Sequence, residues 1–195
     1  MNARQIKILD AAQSVFVRYG VNRATMNDIA KEAGIARQTL YNAYPSKDDV
    51  LRAAVAHFDT QCQQLVLADW AKATTLGEKL DAFFAHVPLR FYDLAATWPD
   101  APQMFEGLHA AAQQEMDAIA TVWIGHFTDV VMQATTDDTM GAQRATDIAE
   151  FIYATSLNAK HNAKDRAAVE TRLGILKQSV LALLGVRPDH NEGRA

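Results

Sequence analysis

The chain has 195 residues, 49% of them hydrophobic and 22% charged, with a net charge of −4. This is ordinary globular composition, and the absence of low-complexity tracts or blocks of like charge excludes extended disorder. A single cysteine, Cys62, excludes an intrachain disulfide and a thiolate zinc cluster.

Arg4, Lys7 and Asp10 interrupt the first apolar residues, so the N-terminus lacks the apolar core of a signal peptide, and no apolar run approaches a membrane span. A soluble, cytoplasmic protein without membrane association is predicted. The charge is uneven: residues 1–52 hold eight Lys/Arg against five Asp/Glu, and the remainder eleven against eighteen. A basic end of +3 on an acidic body of −7 suits a protein that touches phosphates with one end only.

Ile8, Leu9, Ala12, Val15, Phe16 and Tyr19 recur at three- and four-residue spacing and predict a first helix, with Gly20 where a left-handed cap belongs. Thr25 and Asp28 form a capping-box pair that opens a second helix over about 26–33. Gly34 interrupts the pattern briefly before Ile35, Leu40, Tyr41 and Tyr44 resume it. Two short helices joined by a glycine-containing turn of three or four residues are a helix-turn-helix signature. Pro45 ends the third helix, and Ser46 with Asp49 caps a fourth through Val50, Leu51, Ala54, Val55 and Phe58.

The first turns of such a recognition helix enter the major groove. Arg37 and Gln38 therefore become candidates for base contacts, arginine suiting guanine and glutamine adenine, with phosphate contact as the alternative for each. Asn42, further along the same helix, is a candidate for a base or sugar contact, or a solvated amide.

The run from Thr25 to Leu51, with its glycine turn, the triplet Thr39-Leu40-Tyr41 and the segment Pro45-Ser46-Lys47, closely resembles the DNA-binding motif of the TetR family. It departs from it in two places. Ala36 stands where members often have Ser or Thr, so the recognition helix lacks a side-chain cap, and Gln38 stands where many have glycine. The resemblance implies a phosphate clamp of Thr25, Thr39, Tyr41, Tyr44 and Lys47; Tyr41 and Tyr44 could instead pack beneath the helix.

Beyond about residue 76 the pattern stays helical. Leu80, Phe83, Phe84, Val87, Phe91 and Leu94 share a face, interrupted by Pro88, which predicts a kink. Trp98-Pro99-Asp100-Ala101-Pro102 is a breaker-rich segment. Met116, Ile119, Ala120, Trp123, Phe127, Val130 and Val131 form another stripe, followed by a polar connection over 137–141. Two last helices are predicted over about 142–160 and 165–184, with Gly185 as a cap and a loose tail.

In the last helix Val169, Leu173, Leu176, Val180 and Leu183 form a packing seam, which can face its own core or a partner. The resemblance implies that the final two helices pair with their symmetry mates, so these residues and Phe151 are assigned to a homodimer interface. Phe84, Phe91, Tyr92, Trp98, Met104, Phe105, His109, Met116, Trp123, Phe127 and Phe151 are candidates to line an effector cavity, with His109 or Tyr92 as polar anchor. Ordinary core is the alternative for each. This content favours an apolar or aromatic effector.

The six histidines are never paired at metal-ligand spacing, and the chain carries no HExxH, GxSxG, P-loop or glycine-rich dinucleotide motif. Neither catalytic residues nor metal nor cofactor is predicted. The expected architecture is all-α, with a three-helix helix-turn-helix DNA-binding domain over 1–47 joined to a larger helical effector-binding and dimerisation domain over 48–195. The expected function is a ligand-responsive repressor that binds a palindromic operator as a dimer. A small helical enzyme, or a regulator controlled by a partner protein, are the rival readings.

Overall fold

The computed structural model describes residues 1–96, 101–135 and 140–186, with residues 101–111 described by their backbone alone. The described residues are all-α: nine α-helices and one π-helical turn. The helices are α1 (Ala3–Tyr19), α2 (Met26–Glu32), α3 (Arg37–Ala43), α4 (Lys47–Trp70) and α5 (Leu76–Phe84). The π turn (Ala85–Leu89) follows, then α6 (Arg90–Ala96), α7 (Ala101–Ala134), α8 (Ala142–Asn158) and α9 (Arg166–Leu183). No helix among them is long and apolar enough to cross a membrane.

The chain forms two compact units, Met1–Gln61 with Asp93–Ile119, and Cys62–Tyr92 with Ala120–Ala195. The first holds all of residues 1–47, and α4 runs unbroken past residue 48.

Within the first unit, α1 buries Ile8, Leu9, Ala12, Val15 and Phe16 against Ile29 and Ala30 of α2, Leu40 of α3, and Val50 and Leu51 of α4. These are the apolar positions that the helical period selected. Asn2 caps α1 with a reciprocal bond to Gln5 that the sequence reading missed. Gly20 has positive φ (76°) as expected, but ψ is 153°, so the chain leaves α1 extended rather than in the left-handed helical conformation. Arg18 closes the far ends of α1 and α2 through Glu32 at 3.1 Å.

The second unit is built around an aromatic nucleus. Phe83 meets Trp123 and Phe127 with ring centroids 4.9 and 4.8 Å apart, and Trp70 meets Phe127 at 5.5 Å, all in edge-on arrangements that suit the ring quadrupoles. The Trp70 indole N–H donates to the Lys79 carbonyl at 2.7 Å, satisfying its polar edge. Cys62 is buried, in keeping with a small core residue.

Pro88 does not simply kink a helix. It lies in the π turn that separates α5 from α6, because its ring nitrogen cannot donate to the preceding turn and the backbone widens around the lost bond. The second break lies in α7, where Ala112 leaves helical geometry at φ −125°, ψ 24°. The breaker segment before α7 falls largely on residues 97–100, outside those described, as does most of the 137–141 connection and the tail from residue 187.

The seam of α9 resolves one way. Val169, Leu173, Leu176 and Val180 are buried within their own unit, so they cannot also meet a partner, and their assignment to a dimer interface is corrected. A period-3.5 apolar stripe specifies that a face is covered, not by which chain. The large apolar side chains that α8 and α9 leave exposed are Phe151, Ile175 and Leu183.

Candidate nucleic-acid interface

Thr25 opens α2 through a full capping box: its hydroxyl accepts from the Asp28 amide at 3.2 Å, and Asp28 accepts from the Thr25 amide at 3.1 Å and hydroxyl at 2.6 Å. At the other end Gly34 adopts φ 62°, which a side chain rarely tolerates. The Ile35 amide then reaches back to the Ala30 carbonyl at 3.0 Å, closing the turn that aims α3. Ala36 caps α3 without any side-chain bond, as its lack of a hydroxyl dictates. Beyond Pro45, Ser46 and Asp49 cap α4: the Ser46 amide and hydroxyl donate to Asp49 at 2.9 and 2.6 Å, and the Asp49 amide donates to the Ser46 hydroxyl at 3.1 Å. The Ser46 hydroxyl, chiefly, holds the Asp49 carboxyl below its ordinary range.

Leu40 is the only buried residue of α3. Gln38 and Asn42 lie on the face opposite Leu40 and Arg37 lies to one side of it; all three are exposed, and none stands alone. The Gln38 amide donates to Asn42 Oδ1 at 2.9 Å, while Arg37 lies over the Tyr41 ring, 5.3 Å from its centroid, and donates to its hydroxyl at 3.3 Å. The result is two ordered polar pairs one helical turn long, of the chemistry that reads guanine and adenine edges.

The flanking residues divide. Thr25 is exposed, but its hydroxyl is engaged in the capping box. Thr39 is half-buried. Tyr41 and Tyr44 pack against the core of the unit, and burial raises the Tyr44 phenol above its ordinary range. Lys47 donates to the Val21 and Asn22 carbonyls at 2.8 and 3.3 Å, so its ammonium ties the α1–α2 connection to α4. An ammonium has three donors, and these bonds use two of them. A groove of about 300 Å³ lies between Asn2, Arg4 and Gln5 of the N-terminus and Thr39, Asn42 and Ala43 of α3. It brings Arg4 to the edge of the recognition helix, a proximity that only the folded chain reveals.

The candidate effector residues are scattered in character. Phe84, Trp123 and Phe127 are buried in the aromatic nucleus. Phe91, Tyr92 and Met116 are half-buried. Phe151 is 48% exposed, so it lines no enclosed cavity of this chain, which corrects that assignment. Trp98 lies outside the described residues, as do the side chains of Met104, Phe105 and His109. A residue that the sequence reading missed is Lys160, whose ammonium sits 4.1 Å from the Phe91 ring centroid and is pushed down to about 8 by burial. No periodicity or spacing singles out such a lysine.

A glycine turn, a short helix anchored by one leucine and an outward row of Arg, Gln and Asn define a helix-turn-helix of the DNA-reading class. Residues 8–54 match the model of bacterial regulatory proteins of the tetR family. A stretch of 50 residues of the chain is 44% identical to the HTH-type transcriptional regulator SrpR of Pseudomonas putida, covering 26% of this chain and 24% of that protein. A stretch of 52 residues is 36% identical to the uncharacterized HTH-type transcriptional regulator YfiR of Bacillus subtilis, covering 27% of this chain and 25% of that protein. The matched stretch thus spans about a quarter of these relatives.

Solved structures extend the likeness to the whole fold. The fatty acid degradation regulator FadR of Bacillus halodurans superposes with a TM-score of 0.67 at 20% identity over 90% of this chain and 95% of that one. A TetR-family regulator of Agrobacterium tumefaciens gives 0.67 at 18% identity over 91% and 97%.

Proposed function

We propose that the chain is a transcription regulator that binds operator DNA through α3 and responds to a small molecule bound in its C-terminal helical body. The observation that carries the reading is the exposed row Arg37, Gln38 and Asn42 on the recognition helix of a tetR-type domain. Residues 1–47 read DNA, and residues 48–195 bind the effector and dimerise. The protein works in the cytoplasm as a homodimer on a palindromic site, its two recognition helices about 34–36 Å apart in successive major grooves. Phe151, Ile175 and Leu183, the apolar side chains exposed on α8 and α9, are the surface assigned to the partner protomer. The effector is apolar or aromatic, in keeping with the aromatic side chains of the body and with the neighbour from Bacillus halodurans described as a regulator of fatty acid degradation. Its binding releases the operator, which makes the protein a repressor without catalytic, metal or cofactor chemistry.

In vitro selection from random duplex DNA at two salt concentrations tests this reading. Enrichment of a palindrome with two half-sites is expected. Recovery of no motif, with binding that vanishes as salt rises, would leave only non-specific phosphate contact and sink the proposal.

On the selected site, Arg37→Ala should cost about 1–3 kcal/mol and relax preference at one base position. Lys47→Ala should weaken all duplexes alike and lower the salt slope by about 1. Titrations at several salt concentrations separate the two, and identical behaviour of the variants would refute the division between base reading and phosphate contact.

A further inference from the structure

One side chain of α4 is divided between two carboxylates. Arg52 Nη2 lies 2.5 Å from Asp49 Oδ1, while its Nε lies 3.6 Å from Glu115 Oε1 of α7. Nε and Nη2 form one edge of the guanidinium, the edge that can grip a single carboxylate with two parallel bonds. Here that edge is split, closely on Asp49 and loosely on Glu115. The other Glu115 oxygen, Oε2, is buried without a hydrogen-bond partner, which is costly for a carboxylate. Glu115 would therefore gain if it drew the whole edge to itself, and Asp49 would then lose its arginine.

Asp49 is no ordinary surface acid. It accepts both the amide and the hydroxyl of Ser46, and Ser46 follows Tyr44 and Pro45, where α3 ends with the Tyr44 amide bonded to the Leu40 carbonyl at 2.8 Å. Three residues before Glu115, α7 breaks at Ala112. A change in that break alters the reach of Glu115 toward Arg52.

We infer that Arg52 is a positioning residue for the recognition helix, switching its Nε–Nη2 edge between Asp49, which fixes the joint between α3 and α4, and Glu115, which loosens it. The inference rests on the DNA-reading role proposed above.

Glu115→Gln tests it, because a neutral amide of the same shape competes poorly for the guanidinium. In the full chain, amide hydrogen exchange at Asp49 and Val50 is expected to slow at least threefold in Glu115→Gln. It should be unaffected by the same substitution in an Arg52→Gln background. Affinity for the selected operator should change at least threefold in Glu115→Gln but not on adding it to Arg52→Gln, with melting temperatures within a few degrees of wild type. Unchanged exchange in Glu115→Gln, or an equal effect in both backgrounds, overturns the inference. A wild-type chain that binds no duplex overturns the proposed function instead, and the exchange measurements still decide the role of Arg52.

Discussion

Trp123→Ala is expected to destabilise the second unit by about 3–5 kcal/mol, the usual cost of truncating a large buried aromatic. Trp123 is fully buried and edge-on to Phe83 at 4.9 Å, His126 at 5.8 Å and Trp70 at 6.4 Å. One substitution on α7 therefore strips contacts from the end of α4 and from α5. Against a total stability of about 5–15 kcal/mol, the denaturant midpoint should fall far enough to be read without ambiguity from far-UV circular dichroism. The experiment also separates two roles. A tryptophan that lines an effector cavity already borders empty space, and its removal costs little while enlarging the site. A loss under about 1 kcal/mol would mark Trp123 as a cavity wall, contradicting its place in the packed nucleus.

Leu40→Ala is expected to cost about 2–5 kcal/mol in the first unit and to weaken binding to every duplex, cognate or not. Leu40 is fully buried and is the only buried residue of a seven-residue helix without a side-chain N-cap. So short a helix has little stability of its own in water; what holds α3 in place is this leucine, with Ile35, Tyr41 and Tyr44 packed at its flanks. The substitution removes the anchor and leaves the reading side chains untouched. Trp70 and Trp123 lie in the second unit, so in a Trp98→Phe background the remaining tryptophan fluorescence should be nearly unchanged while DNA affinity falls. Loss of preference at single base positions with overall affinity retained would show instead that α3 survives without its anchor.

The two lessons about legibility come from particular residues. In the first fifty, α2 and α4 announce themselves twice, by apolar period and by a local device, Thr25 with Asp28 and Ser46 with Asp49, and the positive-φ glycine at Gly34 marks the turn into α3. Such short-range signals persist whatever the chain packs against, and the structure reproduces them. The missing cap at Ala36 was equally legible, because a methyl group has nothing to accept with.

What failed to be legible depends on tertiary partners. The buried face of α9 was visible in Val169, Leu173, Leu176 and Val180, but a stripe says nothing of who covers it. Lys47 has the residue type of a phosphate contact, yet its nearest acceptors are two carbonyls of the chain itself. Arg4, Lys160 and the divided Arg52 depend on residues far apart in sequence, and no spacing rule can bring Glu115 to α4. The length of α4 went unread because beyond Phe58 its apolar residues follow no clear single face.

The π turn at Pro88 has a consequence for the helix after it. A π turn carries one residue more than an α turn, and each residue of an α-helix advances the face by about 100°. Phe91 and Leu94, which fall on the stripe of Leu80, Phe83 and Phe84 if the helix is drawn as continuous, are thereby moved out of phase with it. They are half-buried, whereas α6 buries none of its residues fully. The surplus residue acts as a phase shifter, so restoring regular α-geometry there would turn α6 about its own axis by roughly a quarter of a revolution and change which of its side chains face inward.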